Sequence, residues 1–301
     1  MTAMVEPPMT IAEKGFITIL TGLYSFQDCV HFIASVRKFH TEPIVVLIDR
    51  VPILLHPLLT VFGNVILKPA PSNPNPVLAS RLAKVALYQS APFEKTIYFD
   101  CDICLLANVD EIFESLNEVD LLITRDVRPN IRDAVNLLRP QGDRRVEEVD
   151  VLPTLQAVGL PVNENTVQYN GGMMAFKRNA LVEELFNKFG KYLQIVMENQ
   201  ERLLLKDQGP FAAAIEATQP KLQVLPPTYN FLSKWKDAYG ELQDPVKVLH
   251  CTYPMRPQHA KNVTRSLYTR VFDRVARYLL PNQVNNPWRT RKAEKPVSSE
   301  N

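Results

Sequence analysis

Asp100 and Asp102, one residue apart, close an apolar run from Thr96 to Phe99 in the segment Tyr98-Phe99-Asp100-Cys101-Asp102-Ile103. In an extended backbone, residues two apart point to the same side. The spacing therefore predicts that both carboxylates converge on one small volume. At about 4 Å and an effective dielectric near 20, two such charges repel by roughly 4 kcal/mol. A divalent cation relieves that repulsion. Hard oxygen ligands at a strand end suit Mg²⁺ or Mn²⁺, ions that usually share their coordination with substrate phosphates. The residues thus point to a metal–diphosphate site. The plain alternative is a solvated turn, because Asp-x-Asp arises often by chance.

The neighbouring Cys101-x-x-Cys104 has redox or zinc spacing. The other two of the four cysteines, Cys29 and Cys251, do not form a second pair that would complete a four-thiolate site. Cys101 and Cys104 are therefore expected as reduced thiols in the core. The segment Met1 to Glu13 carries Glu6 and Glu13 and lacks the basic-then-apolar order of a secretory signal. A reducing, cytoplasmic compartment is the expectation. No run approaches the roughly 18 apolar residues that a membrane span needs. A formal net charge of +2 over 301 residues leaves no basic stripe for nucleic acid. The basic cluster Arg289 to Lys295 reads as a solvated end. The residue pattern sets no oligomeric state, and a homodimer is left open.

The elements that must position the aspartates follow from hydrophobic periodicity. Gly15 to Thr21 and Ile44 to Ile48 are continuous apolar runs of buried-strand length, the first closed by Gly22 and the second by Asp49. Between them, apolar residues at helical spacing from Phe26 to Phe39 predict a helix with Arg37 and Lys38 near its negative end. A helix over Val51 to Phe62 and a strand over Val65 to Lys68 follow. This β-α-β-α-β order predicts a parallel sheet covered on both faces. Pro69 to Pro76 is a proline-rich loop. Val77 to Tyr88 reads as a helix carrying Arg81 and Lys84, and Lys95 to Phe99 as the strand that delivers Asp100. A short helix from Asp110 to Glu114 and a strand from Asp120 to Thr124 come next. Residues 125–168 are charged and weakly periodic apart from Val151 to Val158, and read as an insertion on the acceptor side over the carboxyl edge of the sheet. Beyond it come a strand over Gly171 to Phe176, helices over Ala180 to Gln200 and Leu203 to Glu216, and short strands over Leu222 to Leu225 and Val246 to Leu249. A terminal amphipathic helix over Leu267 to Leu280 closes the pattern. The expected organisation is an extension over 1–14, one α/β domain over 15–281 and a flexible tail over 282–301.

Several short motifs occur in one order: Thr21-Gly22, Lys84-x-x-Leu87, Pro92-Phe93-x-Lys95-Thr96-x-Tyr98-Phe99-Asp100-x-Asp102, Asn170-Gly171-Gly172, Asp207-Gln208 and His250. From about residue 15 to about residue 258 the chain resembles the GT-A glycosyltransferases, especially family 8 and glycogenin-like nucleotide-diphospho-sugar transferases. The Asp-x-Asp strand with its flanks is the most specific part of the likeness. The resemblance implies a single GT-A domain, with a Rossmann-like, mostly parallel mixed sheet and helices on both faces. It also implies an enzyme that uses Mn²⁺ or Mg²⁺ to move a sugar, with retention, from a UDP-sugar or similar donor to a hydroxyl acceptor.

Residue by residue, the resemblance makes Asp100 and Asp102 metal ligands and His250 the third. It puts Thr21, Gly22 and Tyr24 at the nucleotide, Lys84 or Arg81 at phosphate or sugar, and Cys101 between the ligands in the donor site. Asn170 and Gly171 line the donor sugar, and Asp207 and Gln208, with Asn170, stand at the reacting face. Gly172 occupies a position where relatives often carry a larger residue, which bears on which sugar fits. Where relatives follow the histidine with a Lys-Pro-Trp-like element, this chain has Tyr253-Pro-Met-Arg256-Pro257, so Arg256 takes the place of the lysine in contacting the diphosphate; Arg keeps the charge and can bind phosphate bidentately. Asp126 and Arg128 align loosely with donor contacts.

Each of these positions has a plainer reading. His250 can be a core or surface histidine, Asp207 a helix-surface carboxylate and Asn170-Gly171-Gly172 a turn. Of Arg81 and Lys84, at least one is expected to be an exposed helix charge. His31, His40, His56 and His259 have no partner evident in the sequence. Two rival functions fit parts of the pattern. A GT-A-fold scaffold without catalysis would not need the ligand set. Haloacid-dehalogenase-like phosphatases place Asp-x-Asp near the N-terminus and a Thr or Val where this chain has Cys104. The donor sugar and the acceptor are not chosen by any of these residues.

Overall fold

The computed structural model describes residues 12–74, 76–138, 147–199, 207–251 and 262–280. The chain begins with β1 (Ala12–Thr21), α1 (Phe26–Phe39), β2 (Ile44–Asp49), α2 (Pro57–Thr60) and β3 (Val65–Pro69). The helix expected over Val51 to Phe62 is only a 3₁₀ turn, Ile53–Leu55, followed by the short α2. Pro52 and Pro57 each lack an N–H, so no continuous ladder can cross them. Next come α3 (Pro76–Val85), α4 (Leu87–Ser90), β4 (Phe93–Phe99), β5 (Ile103–Leu105), α5 (Asp110–Ser115) and β6 (Leu121–Asn130).

β6 corrects the expected insertion boundary. It runs to Asn130 and pairs Arg125 with Tyr169 and Asn130 with Val167, so residues 125–130 belong to the sheet. Beyond Thr124 its side chains leave the core, which removes the apolar alternation that marks a strand. The intervening segment holds a hairpin of β7 (Val135–Leu138) and β8 (Glu147–Asp150), then α6 (Val151–Ala157). The chain then follows β9 (Val167–Lys177), α7 (Ala180–Glu198), α8 (Gln208–Thr218), β10 (Leu222–Leu225), β11 (Phe231–Leu232), β12 (Val248–His250) and α9 (Leu267–Leu279).

Seven strands form the main sheet in the order β10-β6-β9-β4-β1-β2-β3. β9 runs antiparallel to both β4 and β6, and the other pairings are parallel. A mostly parallel mixed sheet is thus the observed architecture. Alternation along β1 sends Phe16 and Leu20 to one face and Ile17 and Ile19 to the other. The first face packs on α1, α5 and α9 through Phe32, Phe113 and Phe272. The second packs on α3, α7 and α8 through Ala83, Phe186 and Phe211. With both faces covered, chemistry is left to the strand ends, and Thr21, Asp49 and Asp100 all lie at one carboxyl edge.

Because β9 is antiparallel, it enters the sheet at that same edge, and the Asp100 N–H donates to the Gly172 carbonyl at 2.8 Å. A smaller sheet, β11-β12-β5, sits beside it, with Ile103 opposite His250.

Candidate functional site

Asp100 and Asp102 converge, but not by strand alternation. β4 ends at Phe99, and the Ile103 N–H donates to the Asp100 carbonyl at 3.1 Å, closing a tight turn over residues 100–103. The turn folds the chain from β4 into β5, and β5 in turn carries β12 and His250 alongside. The Cys251 N–H donates to the Asp102 carbonyl at 2.9 Å, which pins the two segments together. One ligand atom from each of Asp100, Asp102 and His250 lies within 4.8 Å of the others. Cys101, between the aspartates, is half-buried and packs against the first-face core. None of Cys29, Cys101, Cys104 and Cys251 is in a disulfide.

His250 is buried, and its two ring nitrogens face different partners. Nε2 lies 3.2 Å from Asp102 Oδ1, and Nδ1 lies 2.9 Å from Asn230 Oδ1. Burial, the largest influence, lowers the affinity of the ring for a second proton, but the charge and hydrogen bond of Asp102 and the charge of Asp100 together outweigh it and raise the pKa above the ordinary histidine value. Burial likewise opposes ionisation of Asp102, but His250, a backbone hydrogen bond and the Lys84 charge together outweigh it, so the Asp102 carboxyl titrates below its usual range.

Lys84 sits on α3 beneath the turn and is buried, whereas Arg81 is half-buried. The expectation that at least one of them is an exposed helix charge is therefore overturned: both turn toward Asp207. Lys84 Nζ lies 3.1 Å from Asp207 Oδ2 and 3.2 Å from Asp100 Oδ1, and donates to the Gly171 carbonyl at 3.1 Å. Arg81 Nε lies 3.4 Å from Asp207 Oδ1. Burial disfavours the Lys84 ammonium, but Asp100 and Asp207 together raise its pKa. The Tyr98 hydroxyl donates to Asp100 Oδ1, giving that carboxylate a second fixed partner.

Asp207 is buried at the position just before α8, where its side chain makes no capping bond to the helix, so it is not a helix-surface carboxylate. The expected helix over Leu203 to Glu216 begins only at Gln208. Pro210 is compatible with the first turn alone, and residues 200–206 lie outside the described residues. Burial disfavours the Asp207 charge, yet Arg81 and Lys84 hold its pKa far below the ordinary carboxylate range. A carboxylate with a lowered folded-state pKa stabilises fully above its unfolded value, about 3.9. That contribution is lost as pH falls through the folded value. The gap in melting temperature between wild type and Asp207→Asn should therefore be widest near neutrality and shrink on acidification below about pH 3.9. A gap independent of pH through that window would remove Asp207 from the ionised, paired groups.

Asn170, buried on β9, accepts the Gly172 N–H at 2.9 Å and an Asn230 amide N–H at 3.0 Å. The missing side chain of Gly172 leaves room for His250: a Cβ there would meet His250 Cε1 at 2.5 Å and Nδ1 at 2.8 Å. The space read from the sequence as a determinant of sugar size is filled by the imidazole. Gly172→Ala should displace the ring and weaken divalent-metal binding, with a packing cost of about 1–3 kcal/mol. An unchanged Mn²⁺ titration in that variant would show that the ring position does not matter for the cation.

The remaining expected residues line the same edge. The Gln208 amide donates to Asp126 Oδ2 at 2.7 Å, and Asp126 Oδ1 accepts the Arg128 N–H at 3.1 Å. Thr21 ends β1, opposite Asp49, and the Gly22 N–H donates to the Asp49 carbonyl at 2.8 Å. Gly22 has φ +70°, a conformation that glycine adopts without strain and that lets the chain turn directly after the strand. Tyr24 follows, half-buried, before α1. Arg256 and His259 lie outside the described residues.

His40, Glu42 and Asp110 form a second cluster with ligand-like spacing. Its centre is already served by Lys14 Nζ, 3.0 Å from Glu42 and 3.2 Å from Asp110. His40 Nε2 accepts the Val109 N–H at 3.1 Å, which leaves Nδ1 as the protonated nitrogen toward Glu42. This cluster is an ion-pair network. His31 also has partners, lying 2.8 Å from both Thr264 and Asp273, as does His56, 3.2 Å from the Val51 carbonyl.

The donor set at Asp100 suits a hard divalent cation. Asp100, Asp102 and Asp207 bring three carboxylates, and Lys84 and Arg81 two permanent cations, so charge balance falls on the His250 proton. A divalent ion can replace that proton on two carboxylate ligands and one imidazole, a set that Mn²⁺ accepts readily.

No protein-family model matches the chain, and no curated protein matches it. Solved structures match its fold. The bifunctional glycosyltransferase WbbM in its apo form aligns with a TM-score of 0.59 at 14% identity, over 89% of this chain and 52% of that one. This chain thus spans about half the length of WbbM. The galactosyltransferase LgtC, solved with donor and acceptor sugar analogues, aligns with a TM-score of 0.55 at 15% identity over 89% of this chain and 96% of that one. Mouse xyloside xylosyltransferase 1 aligns with a TM-score of 0.54 at 15% identity over 81% of this chain and 100% of that one. The fold is that of the GT-A glycosyltransferases. No helix among the described residues is long and apolar enough to cross a membrane.

Proposed function

We propose that this chain is a metal-dependent, family 8-like glycosyltransferase that moves a sugar from a UDP-sugar to a hydroxyl acceptor with retention at the anomeric carbon. The observation that carries this reading is the convergence of Asp100, Asp102 and His250 at the carboxyl edge of a GT-A sheet, beside the buried Lys84. Bound Mn²⁺ or Mg²⁺ supplies a Lewis acid that offsets negative charge on the departing nucleoside diphosphate.

The protein's own residues do the rest. Asp100, Asp102 and His250 hold the cation. Lys84 offers a positive charge that is fixed before substrate arrives, because Asp100, Asp207 and the Gly171 carbonyl already hold its ammonium in place of water. Asp207 pairs with both Lys84 and Arg81 and directs them to that edge. Gln208 and Asn170 give amide groups at the reacting face, the first tethered to Asp126 and the second to Gly172. Thr21, Gly22 and Tyr24 border the nucleotide, and the resemblance to family 8 gives Arg256 the diphosphate contact that a lysine makes in relatives. That LgtC is a galactosyltransferase solved with donor and acceptor sugar analogues on this fold supports a sugar donor here. The order of motifs shared with family 8 supports retention. Cysteines outside any disulfide fit the cytoplasmic setting expected from the sequence.

Neither rival gains an observation. The phosphatase reading needs its aspartates after the first strand, and they follow β4. The scaffold reading leaves a charge-balanced ligand set without a use. Thermal-shift screening of nucleotide sugars with and without Mn²⁺ tests the function: at a hundredfold excess over Kd, the true donor adds about 2.7 kcal/mol. Failure of every nucleotide sugar to stabilise the Mn²⁺-loaded protein would overturn it.

A further inference from the structure

Asn230 lies in the turn after Pro226 and Pro227, between the main sheet and β12, and is 1% exposed. Its three polar contacts reach three different strands. The amide nitrogen donates to Thr124 Oγ1 of β6 at 3.0 Å and to Asn170 Oδ1 of β9 at 3.0 Å. The amide oxygen faces His250 Nδ1 of β12 at 2.9 Å. A carboxamide has two N–H donors and one acceptor oxygen, and all are used here in the only sense the neighbours permit. Asn170 Oδ1 already accepts the Gly172 N–H, so it must accept from Asn230 as well. The nitrogen of Asn230 is thereby fixed toward β9, and its oxygen toward the imidazole.

The consequence falls on His250. An acceptor at Nδ1 requires Nδ1 to carry its proton, so when the ring is neutral its lone pair is at Nε2. Nε2 is the nitrogen aimed at the carboxylates, 3.2 Å from Asp102. Gly172 packs against the Cε1–Nδ1 edge of the ring, where even a Cβ would collide with it. The register shift of β6 against β9 between Ile123 and Thr124 turns the Thr124 hydroxyl to the amide.

We propose that Asn230 is the positioning residue of the cation site: it fixes the tautomer and plane of His250 with Nε2 presented to Asp100 and Asp102, and through the same amide holds Asn170 at the donor-facing end of β9. This rests on the metal–diphosphate reading of the site. Loss of such an outer partner commonly costs 10–100-fold in metal affinity.

Mn²⁺ binding, followed by electron paramagnetic resonance of the free ion, and the ring Nδ1–H resonance of ¹⁵N-histidine-labelled, metal-free protein test this together. In wild type, His250 should show an Nδ1–H proton protected from solvent exchange. Asn230→Leu should lose that signal and bind Mn²⁺ at least about tenfold more weakly. Asn230→Asp keeps an acceptor for Nδ1 and removes the donors to Thr124 and Asn170. It should retain the ring signal and wild-type Mn²⁺ affinity within a few-fold while binding UDP-sugar more weakly. A purely structural amide would give the opposite pattern: both variants would lose melting temperature with the Mn²⁺ affinity of Asn230→Leu unchanged. That result, or the absence of the protected proton in wild type, overturns the assignment. Wild-type protein that shows the protected proton and binds no Mn²⁺ would overturn the cation reading itself, and the positioning role with it.

Discussion

Asp102→Asn is expected to lower metal-dependent turnover of the donor by about three orders of magnitude with little change in melting temperature. A metal ion contributes several kcal/mol to stabilising charge on a leaving diphosphate. Loss of about 4 kcal/mol corresponds to roughly a thousandfold in rate. Asp102 is the cleaner of the two aspartates to test. Its side chain faces His250, and an asparagine oxygen can still accept from Nε2 when the ring is protonated. The tie to Cys251 runs through the Asp102 backbone carbonyl and survives the substitution. Asp100 also neutralises Lys84 and accepts the Tyr98 hydroxyl, so its removal mixes a folding defect with a catalytic one. Steady-state donor hydrolysis over a Mn²⁺ titration separates the cases. Turnover in Asp102→Asn equal to wild type at every metal concentration would remove Asp102 from the mechanism.

Lys84→Met should have the largest effect on stability of any single change at the site. It leaves Asp100 without its cation and Asp207 with Arg81 alone, in a region where Lys84 itself is 6% exposed. Removing one partner of a buried ion pair costs about 3–5 kcal/mol, because the other charge stays buried. For a domain of this size that corresponds to roughly 10 °C in melting temperature. Adding Asp207→Asn should recover part of the loss, since it removes one of the stranded carboxylates. The double variant should therefore be less impaired than the sum of the single ones. Strict additivity would mean that the contact between Lys84 and Asp207 carries no energy of its own.

The sequence revealed the sheet better than the site. Gly15 to Thr21 and Ile44 to Ile48 are apolar without interruption because both faces of their strands are buried, and such runs announce themselves. The direction of β9 does not: Gly171 to Phe176 reads the same parallel or antiparallel, yet its reversal is what brings Asn170, Gly171 and Gly172 to the aspartates. Charged residues 125–130 hid the outer half of β6, which pairs through its backbone while its side chains leave the core. Asp207 was legible as a residue of interest but misplaced inside a helix. Pro210 carried the needed signal, since a proline there fits only a helix that has just begun.

Asn230 was missed altogether. Its contacts lie 106, 60 and 20 residues away in sequence, at Thr124, Asn170 and His250, and no local pattern encodes a junction of that kind. A polar residue following Pro226 and Pro227 and preceding the apolar pair Phe231-Leu232 reads as a turn. It is one, and it is also the link between the sheet and the histidine.

Calorimetric titration of UDP into the protein, with and without Mn²⁺, tests the central claim most directly. The arrangement of Asp100, Asp102 and His250 predicts binding that requires the metal and disappears in Asp102→Asn. UDP binding of equal strength in the absence of any divalent ion, or no binding with Mn²⁺ at saturation, would contradict it.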